Sequence, residues 1–295
     1  GGTEDARVFL LVGGTQTNAT VIDGILARHD GVLAAESGHI AVHESGAIEA
    51  CGHKVLTLPH HQGKVKAEDV KLFIDEFYRD ETFEHMVAPG MLYISFPTEY
   101  GTVYTLKELE QLSEVCHNAD IPLYIDGARL AYGLAAEGGD VTLQDIARLA
   151  DVFYIGGTKV GALFGEAVVV TNPKLLNHFT PLIKQHGALM AKGRLLGVQF
   201  EALFKDNLYF EIGKKAVAQA LKIKEAFTSR GYTSIVDSTT NQQFFLLPNS
   251  LIDHLRSNNI SFENWGIRGA EQTTVRFVTG WATTQSDIDA LIALL

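Results

Sequence analysis

Cysteine is scarce in this 295-residue chain: only Cys51 and Cys116 occur, far apart in the sequence. Two such residues build neither a disulfide framework nor a cysteine-rich zinc site, and they point to a reducing, cytosolic compartment. Cationic side chains are also in the minority, 24 Lys and Arg against 35 Asp and Glu, for a net charge of −11. A surface of that sign repels phosphate backbones and anionic lipid heads, which disfavours nucleic acid or a membrane as the main partner. Long hydrophobic runs are missing too. The most apolar stretch, 147–171, is interrupted by Arg148, Asp151, Lys159 and Glu166, so none reaches the length of a membrane span. A small-molecule substrate is the expectation that remains.

What is present is enough apolar residue, 46% of the chain, to bury a core of one large domain or two ordinary ones. Short β-rich runs at 8–12, 55–58, 91–96, 122–125, 152–155 and 167–171 alternate with amphipathic stretches such as 67–78 and 105–117. In the second of these, Leu106, Leu109, Leu112 and Val115 recur at helical spacing. The alternation predicts an α/β fold, and runs apolar on both faces predict a mostly parallel sheet covered by helices. From 184 to 230 the pattern reads as continuous helix. Beyond it, strands at 243–247 and 274–279 and helices at 250–258 and 284–294 predict a small α+β domain. The expected division is 1–205 and 206–295.

Three features follow predicted strands, where an α/β sheet presents its functional loops. Lys159 lies within Gly156-Gly157-Thr158-Lys159-Val160-Gly161. Poor solvation there disfavours its ammonium form and leaves a nucleophilic amine suited to a Schiff base; the plain alternative is a surface lysine in a glycine turn. Asp126 closes an apolar strand, where a carboxylate calls for a cationic partner such as a pyridinium nitrogen, or else caps the next turn. Gly13-Gly14-Thr15-Gln16-Thr17-Asn18 opens a helix and offers free backbone N–H groups to a phosphate. Neither GxGxxG nor GxxxxGK[ST] is present, so a dinucleotide site or a P-loop is disfavoured.

Taken in order, with GGTQTN (13–18), ESGHIAVHE (36–44), YIDGARLAYGLA (124–135), GGTKVGALFGEAVVV (156–170) and VRFVTGW (275–281), the sequence resembles the threonine aldolase and β-eliminating lyase family of fold-type-I pyridoxal-phosphate enzymes, with low-specificity L-threonine aldolases its nearest likeness. The resemblance extends over nearly the whole chain. It implies an aspartate-aminotransferase-like large domain in three layers with a mostly parallel mixed sheet, a bound pyridoxal 5'-phosphate, and a homodimer or homotetramer. Family members carry a further N-terminal arm, a DLRSDT-type segment, ahead of the Gly-Thr motif, and the given sequence starts after it.

Carried over by position, the resemblance implies that Lys159 binds the cofactor as a Schiff base and that Asp126 pairs with its ring nitrogen. Gly14 and Thr15 hold the phosphate, with Thr158 as a second hydroxyl. His39 stacks on the ring, Glu44 five residues later and Tyr100 are expected at the substrate, and Arg129, also expected at the cofactor, and Arg276 take the substrate carboxylate, a role that suits a guanidinium because it grips a carboxylate through two parallel bonds. Without the resemblance His39 reads as a turn residue and Arg276 as a strand-edge charge; His43, His60 and His61 read as surface or loop residues.

Three departures bear on the reaction. FPTEY (96–100) replaces an ENTH-like segment, putting Glu99 where a histidine is usual, so Glu99, Tyr100, His39 or a held water are the candidates to accept the β-hydroxyl proton. GALMAK (187–192) replaces GGGMRQ, with Ala191 at the usual arginine and basic character moved to Lys192 or Arg194. VTG followed by Trp281 replaces VTH. The expected activity is cleavage of L-threonine, L-allo-threonine or a related β-hydroxy-α-amino acid to glycine and an aldehyde. The rivals are β-elimination or transamination on the same cofactor, or a non-catalytic protein of this fold.

Overall fold

A computed structural model describes residues 5–175 and 179–295. Seven strands form the large sheet: β1 (Arg7–Leu11), β2 (Asp30–Ala35), β3 (Lys54–Leu58), β4 (Ala88–Ser95), β5 (Leu123–Asp126), β6 (Val152–Gly156) and β7 (Glu166–Val170), in the order β1-β7-β6-β5-β4-β2-β3. All run parallel except β7, which is antiparallel to both β1 and β6. The mostly parallel α/β sheet expected from the apolar runs is therefore present.

Successive residues of the central strands enter opposite cores, as the period of two requires. Leu33, Leu92, Ile94, Ile125 and Phe153 pack with Val70, Ile74, Leu109, Leu112 and Ile146 of the helices Ala67–Arg79, Leu106–Asn118 and Leu143–Leu149. Their neighbours Val32, Met91, Tyr93, Tyr124 and Val152 pack with Val21, Ile22, Phe179 and Ile183 of the helices Gly14–Ile25 and Phe179–Gln185. The result is three layers.

Two readings change. Strand β2, absent from the sequence expectation, is an interior strand between β3 and β4. Its Gly and Ala content lowers intrinsic strand preference, and burial on both sides decides the matter. The predicted continuous helix over 184–230 is broken twice: helix Phe179–Gln185 ends before Gly187, which has φ 64°, and helix Arg194–Phe204 is separated from Leu208–Thr228 by Asp206 and Asn207 in left-handed conformation.

The second sheet comprises β8 (Thr233–Ser234), β9 (Gln242–Pro248), β10 (Glu263–Asn264) and β11 (Gln272–Val278), ordered β10-β11-β9-β8 and antiparallel throughout. Phe245, Leu247, Val275 and Phe277 bury one face against Ile252 and Leu255 of helix Asn249–Ser257, Ile288 and Leu291 of helix Gln285–Ala293, and Phe227 of the long helix. The two sheets meet at the loop after β4. Ser238 and Thr240 hydroxyls donate to Gly101 O at 3.0 Å each, and Gln242 Nε2 donates to Thr98 O at 3.4 Å.

Candidate active site

The carboxyl ends of the parallel strands lie along one edge of the large sheet, and the sequence-predicted residues gather there. Beyond β1, Gly13 starts the twelve-residue helix Gly14–Ile25 without a side-chain cap and with no acidic residue in its first turn. The first bond back to Gly13 O comes from Thr17 N, which leaves the N–H groups of Gly14, Thr15 and Gln16 without partners within the helix. Strand β5 ends at Asp126, and β6 leads into the short turn Thr158–Val160 that carries Lys159. The ends of β5 and β6 are pressed together. A Cβ at Gly127 would lie 1.9 Å from Tyr154 O, and one at Gly156 would lie 2.5 Å from Ala128 O, so only glycine permits this approach of Asp126 to Lys159. Tyr132 Oη donates to Lys159 O at 2.5 Å and anchors the turn.

A cleft of about 360 Å³ opens over this edge, with Gly13, Gly14, Thr15, Asp126, Thr158 and Lys159 in its lining together with His39, Glu99 and Arg129. It adjoins a 450 Å³ cavity that shares His39, Glu99, Arg129 and Lys159 and adds His43, Glu263, Asn264, Trp265, Gly266 and Arg276 from beyond. Burial, and next the Arg129 guanidinium, pull the Lys159 amine down from 10.5 to about 8. Arg129 itself is lowered by burial and then by Arg276, and among the described residues its guanidinium has no hydrogen-bonded acceptor.

Asp126 is buried. Its Oδ2 accepts from Tyr93 Oη at 2.6 Å and Asn18 Nδ2 at 3.0 Å, and its Oδ1 accepts from Ala128 N at 2.9 Å. The same Asn18 nitrogen donates to Glu44 Oε1 at 2.7 Å, which also lies 2.7 Å from His39 Nδ1. A carboxylate acceptor fixes the imidazole proton on Nδ1 and leaves Nε2 as the open ring nitrogen. Glu44 Oε2 is buried without a partner. Glu44 thus stands behind His39, in the lining of the inner cleft and outside that of the outer cavity.

Glu99 is 7% exposed; Oε1 accepts from Ser95 Oγ at 2.6 Å and His39 N at 2.9 Å, while Oε2 has no partner among the described residues. Burial raises its carboxyl above the ordinary range. Tyr100 lines neither cavity and packs among Trp265, Phe244 and His60. Arg276 reaches the outer cavity already engaged: Nε bonds Glu263 Oε2 at 3.0 Å, Nη2 pairs with the same oxygen, Nη1 bonds Gln242 Oε1 at 3.0 Å, and the guanidinium lies 4.8 Å over the Trp265 ring. Thr158 lines the inner cleft, and its hydroxyl donates to Glu166 Oε1 at 2.8 Å. Ala191, Lys192 and Arg194 are exposed and outside the lining of both cavities.

Asn18, Tyr93, Ser95 and Glu166 have no site role in the sequence reading, and His43, read as a surface or loop residue, is exposed and lines the outer cavity. Glu166 carried a legible signal, a charge opening an otherwise apolar strand. Asn18 carried one too, a polar residue ahead of Ala19, Val21 and Ile22 on a helix that buries that segment.

The residues suit pyridoxal phosphate. A buried carboxylate with only neutral donors offers a partner for a protonated ring nitrogen, a low-pKa amine faces it across the cleft, and nothing lies within 4 Å of a Cβ built at Gly13, where the uncapped helix start offers its N–H groups to an anion. Fold and cleft together define a fold-type-I pyridoxal-phosphate enzyme. A family model described as beta-eliminating lyase matches residues 3–275, and the chain belongs to that family. The low specificity L-threonine aldolase of a Pseudomonas species is 28% identical over 98% of this chain and 82% of its own length. The solved threonine aldolase of Leishmania major superposes with a TM-score of 0.94 at 43% identity, over 98% of this chain and 83% of that one. An aspartate aminotransferase of Thermus thermophilus, 16% identical, shares the fold with a TM-score of 0.65 over 97% of this chain and 78% of that one.

Proposed function

We propose that this chain is an aldolase that cleaves L-threonine, L-allo-threonine or a related β-hydroxy-α-amino acid to glycine and an aldehyde. The observation that carries the reading is the free Oε2 of Glu99, a buried carboxylate placed with Lys159 and Arg129 where the two cavities join. Pyridoxal phosphate, when bound, supplies the sink for the electron pair left on Cα. Asp126 would hold a proton at the ring nitrogen, and the N–H groups of Gly14 and Thr15 would hold the phosphate. His39, kept in one tautomer by Glu44, would lie against the ring.

Arg129, with no acceptor of its own, grips the substrate carboxylate. Arg276 assists by charge while it stays paired with Glu263. Glu99 takes the β-hydroxyl proton as the Cα–Cβ bond breaks and the aldehyde departs, and burial makes it a stronger base than an exposed carboxylate. Lys159, about half of it ammonium at pH 8, would give a proton to Cα, and the proton taken by Glu99 would leave to solvent.

The same reading divides the chain at the helix break Lys205–Asn207 into a cofactor-binding part and a small C-terminal part. It has a second copy covering the exposed Leu163, Leu189, Leu195 and Val198 on and beside helix Arg194–Phe204, in a dimer or tetramer, and a cytosolic setting in keeping with two free cysteines. The test is product analysis of the loaded protein with L-threonine and L-allo-threonine. Glycine with stoichiometric acetaldehyde is expected; pyruvate with ammonia, or a new keto acid, would replace the aldolase reading by elimination or transamination. Mass in solution checks the oligomer.

A further inference from the structure

Glu166 is the first residue of β7, the strand that runs against the rest of the large sheet. Through that reversal its beginning, not its end, lies at the edge where the parallel strands finish. The ladder pairs Glu166 with Leu11 on one side and Gly156 on the other, so it stands between the strand leading to Gly13 and Gly14 and the strand leading to Thr158 and Lys159. It is 4% exposed and lines the inner cleft. Its hydrogen-bond partners are neutral: Thr158 Oγ at 2.8 Å from Oε1 and Gly157 N at 3.1 Å from Oε2. A buried carboxylate so placed is costly as an anion, and burial raises this one from 4.5 to about 7.

A threonine hydroxyl has one proton to give and two lone pairs to offer. In Thr158 the proton goes to Glu166, and one lone pair takes Gly165 N–H at 3.0 Å. An anion at the start of helix Gly14–Ile25 would find the Thr158 proton already committed and a second negative charge behind it.

We propose that Glu166 is a proton-accepting positioning residue for the phosphate end of the cleft: when an anion binds beside Gly14 and Thr15, Glu166 takes one proton from solvent. The bond to Thr158 then reverses. Glu166 donates to the second lone pair of Thr158 Oγ, and the Thr158 hydroxyl turns its proton to the anion. The inference rests on the cofactor reading above. Other groups facing Glu166 are Lys159 on the adjoining turn, Asp126 at the end of β5, and the phenols Tyr124, Tyr154 and Tyr209. Burial keeps the phenols neutral. Asp126 opposes a second negative charge, Lys159 favours it, and an incoming anion adds to the side of Asp126.

Sulfate tests this without a titration of its own near neutrality. Calorimetric titration of the cofactor-free full chain in two buffers of different ionisation enthalpy should show about half a proton taken up per sulfate at pH 7, with affinity falling about tenfold per pH unit above that. Glu166→Gln should abolish both effects, and Lys159→Met should keep them. Sulfate binding without proton uptake, or uptake that survives Glu166→Gln and vanishes in Lys159→Met, overturns the inference alone. A second readout is the protonated-carboxyl stretch in the infrared difference spectrum on loading with pyridoxal phosphate. It should appear in the native protein and be missing in Glu166→Gln, and its absence from the native protein overturns the inference even where sulfate binds weakly. A folded protein that takes up neither sulfate nor pyridoxal phosphate loses the cofactor reading first and this inference with it.

Discussion

The side-chain amide of Asn18 donates one proton to Asp126 at 3.0 Å and the other to Glu44 at 2.7 Å, joining two buried carboxylates through one nitrogen. Its oxygen accepts from Tyr124 Oη at 2.7 Å, so every polar atom of this fully buried side chain is used. Asp126 and the Glu44 that supports His39 are thereby held as one unit. Asn18→Ala removes two bonds to carboxylates and should lower the unfolding free energy of the cofactor-free protein by about 2–5 kcal/mol in urea titrations. Asn18→Asp, with a third carboxylate in the same place, should cost more than Asn18→Ala. The reverse order would show that the loss comes from packing.

Lys159 gives a pH dependence whose direction is set. Its amine is held at about 8 where 10.5 is ordinary, so the cation is disfavoured and the neutral form prevails above pH 8. The rate at which cofactor-free protein bonds pyridoxal phosphate should rise with pH and level off above a midpoint near 8, followed by stopped-flow absorbance. Lys159→Met should abolish the reaction. Arg129→Met, which removes the second cause of the shift, should move the midpoint upward and raise KM for the amino acid.

Glu99→Gln keeps an acceptor oxygen for Ser95 and His39 N but cannot take a proton. Aldehyde release should fall about 10²–10⁴-fold, the range of general acid–base contributions, with cofactor uptake unchanged. Tyr100→Phe should alter the rate little, since Tyr100 lies outside both cavities. An inactive Tyr100→Phe beside an active Glu99→Gln would reverse the assignment of the base.

Glu166 also makes the cofactor-free protein sensitive to pH. Its folded-state value of about 7 lies above the ordinary 4.5, so its contribution to stability is intact below pH 4.5 and is lost as pH rises through 7. Glu166→Gln should therefore be more stable than the native protein at pH 8, by up to about 3 kcal/mol, and match it near pH 4. Urea midpoints at the two pH values measure the difference.

Lys159 and Asp126 were legible because each follows an apolar strand directly, and strand ends are local features of a sequence. Strand β2 was not, since Gly and Ala carry little strand preference and its place depends on β3 and β4 on either side. The breaks within 184–230 were hidden among good helix formers and turn on backbone angles at Gly187, Asp206 and Asn207. Asn18 closes the GGTQTN motif, but its partner Asp126 is 108 residues away, and a buried amide acquires meaning only from such partners. The phosphate contact of Thr158 is what the resemblance implies; that its hydroxyl also meets Glu166 depends on the next strand and is legible only in the fold.

Gln242 ties two parts of the candidate site together, although it lines neither cavity. Its nitrogen bonds the carbonyl of Thr98, next to Glu99, and its oxygen bonds Arg276. One side chain therefore gauges the loop bearing Glu99 against the guanidinium at the outer cavity, and the bonds from Ser238 and Thr240 to Gly101 hold that setting. The small sheet acts as a jig for the large one. A lengthened or shortened turn before β9 would then register as a fault in turnover before it registered as a fault in folding.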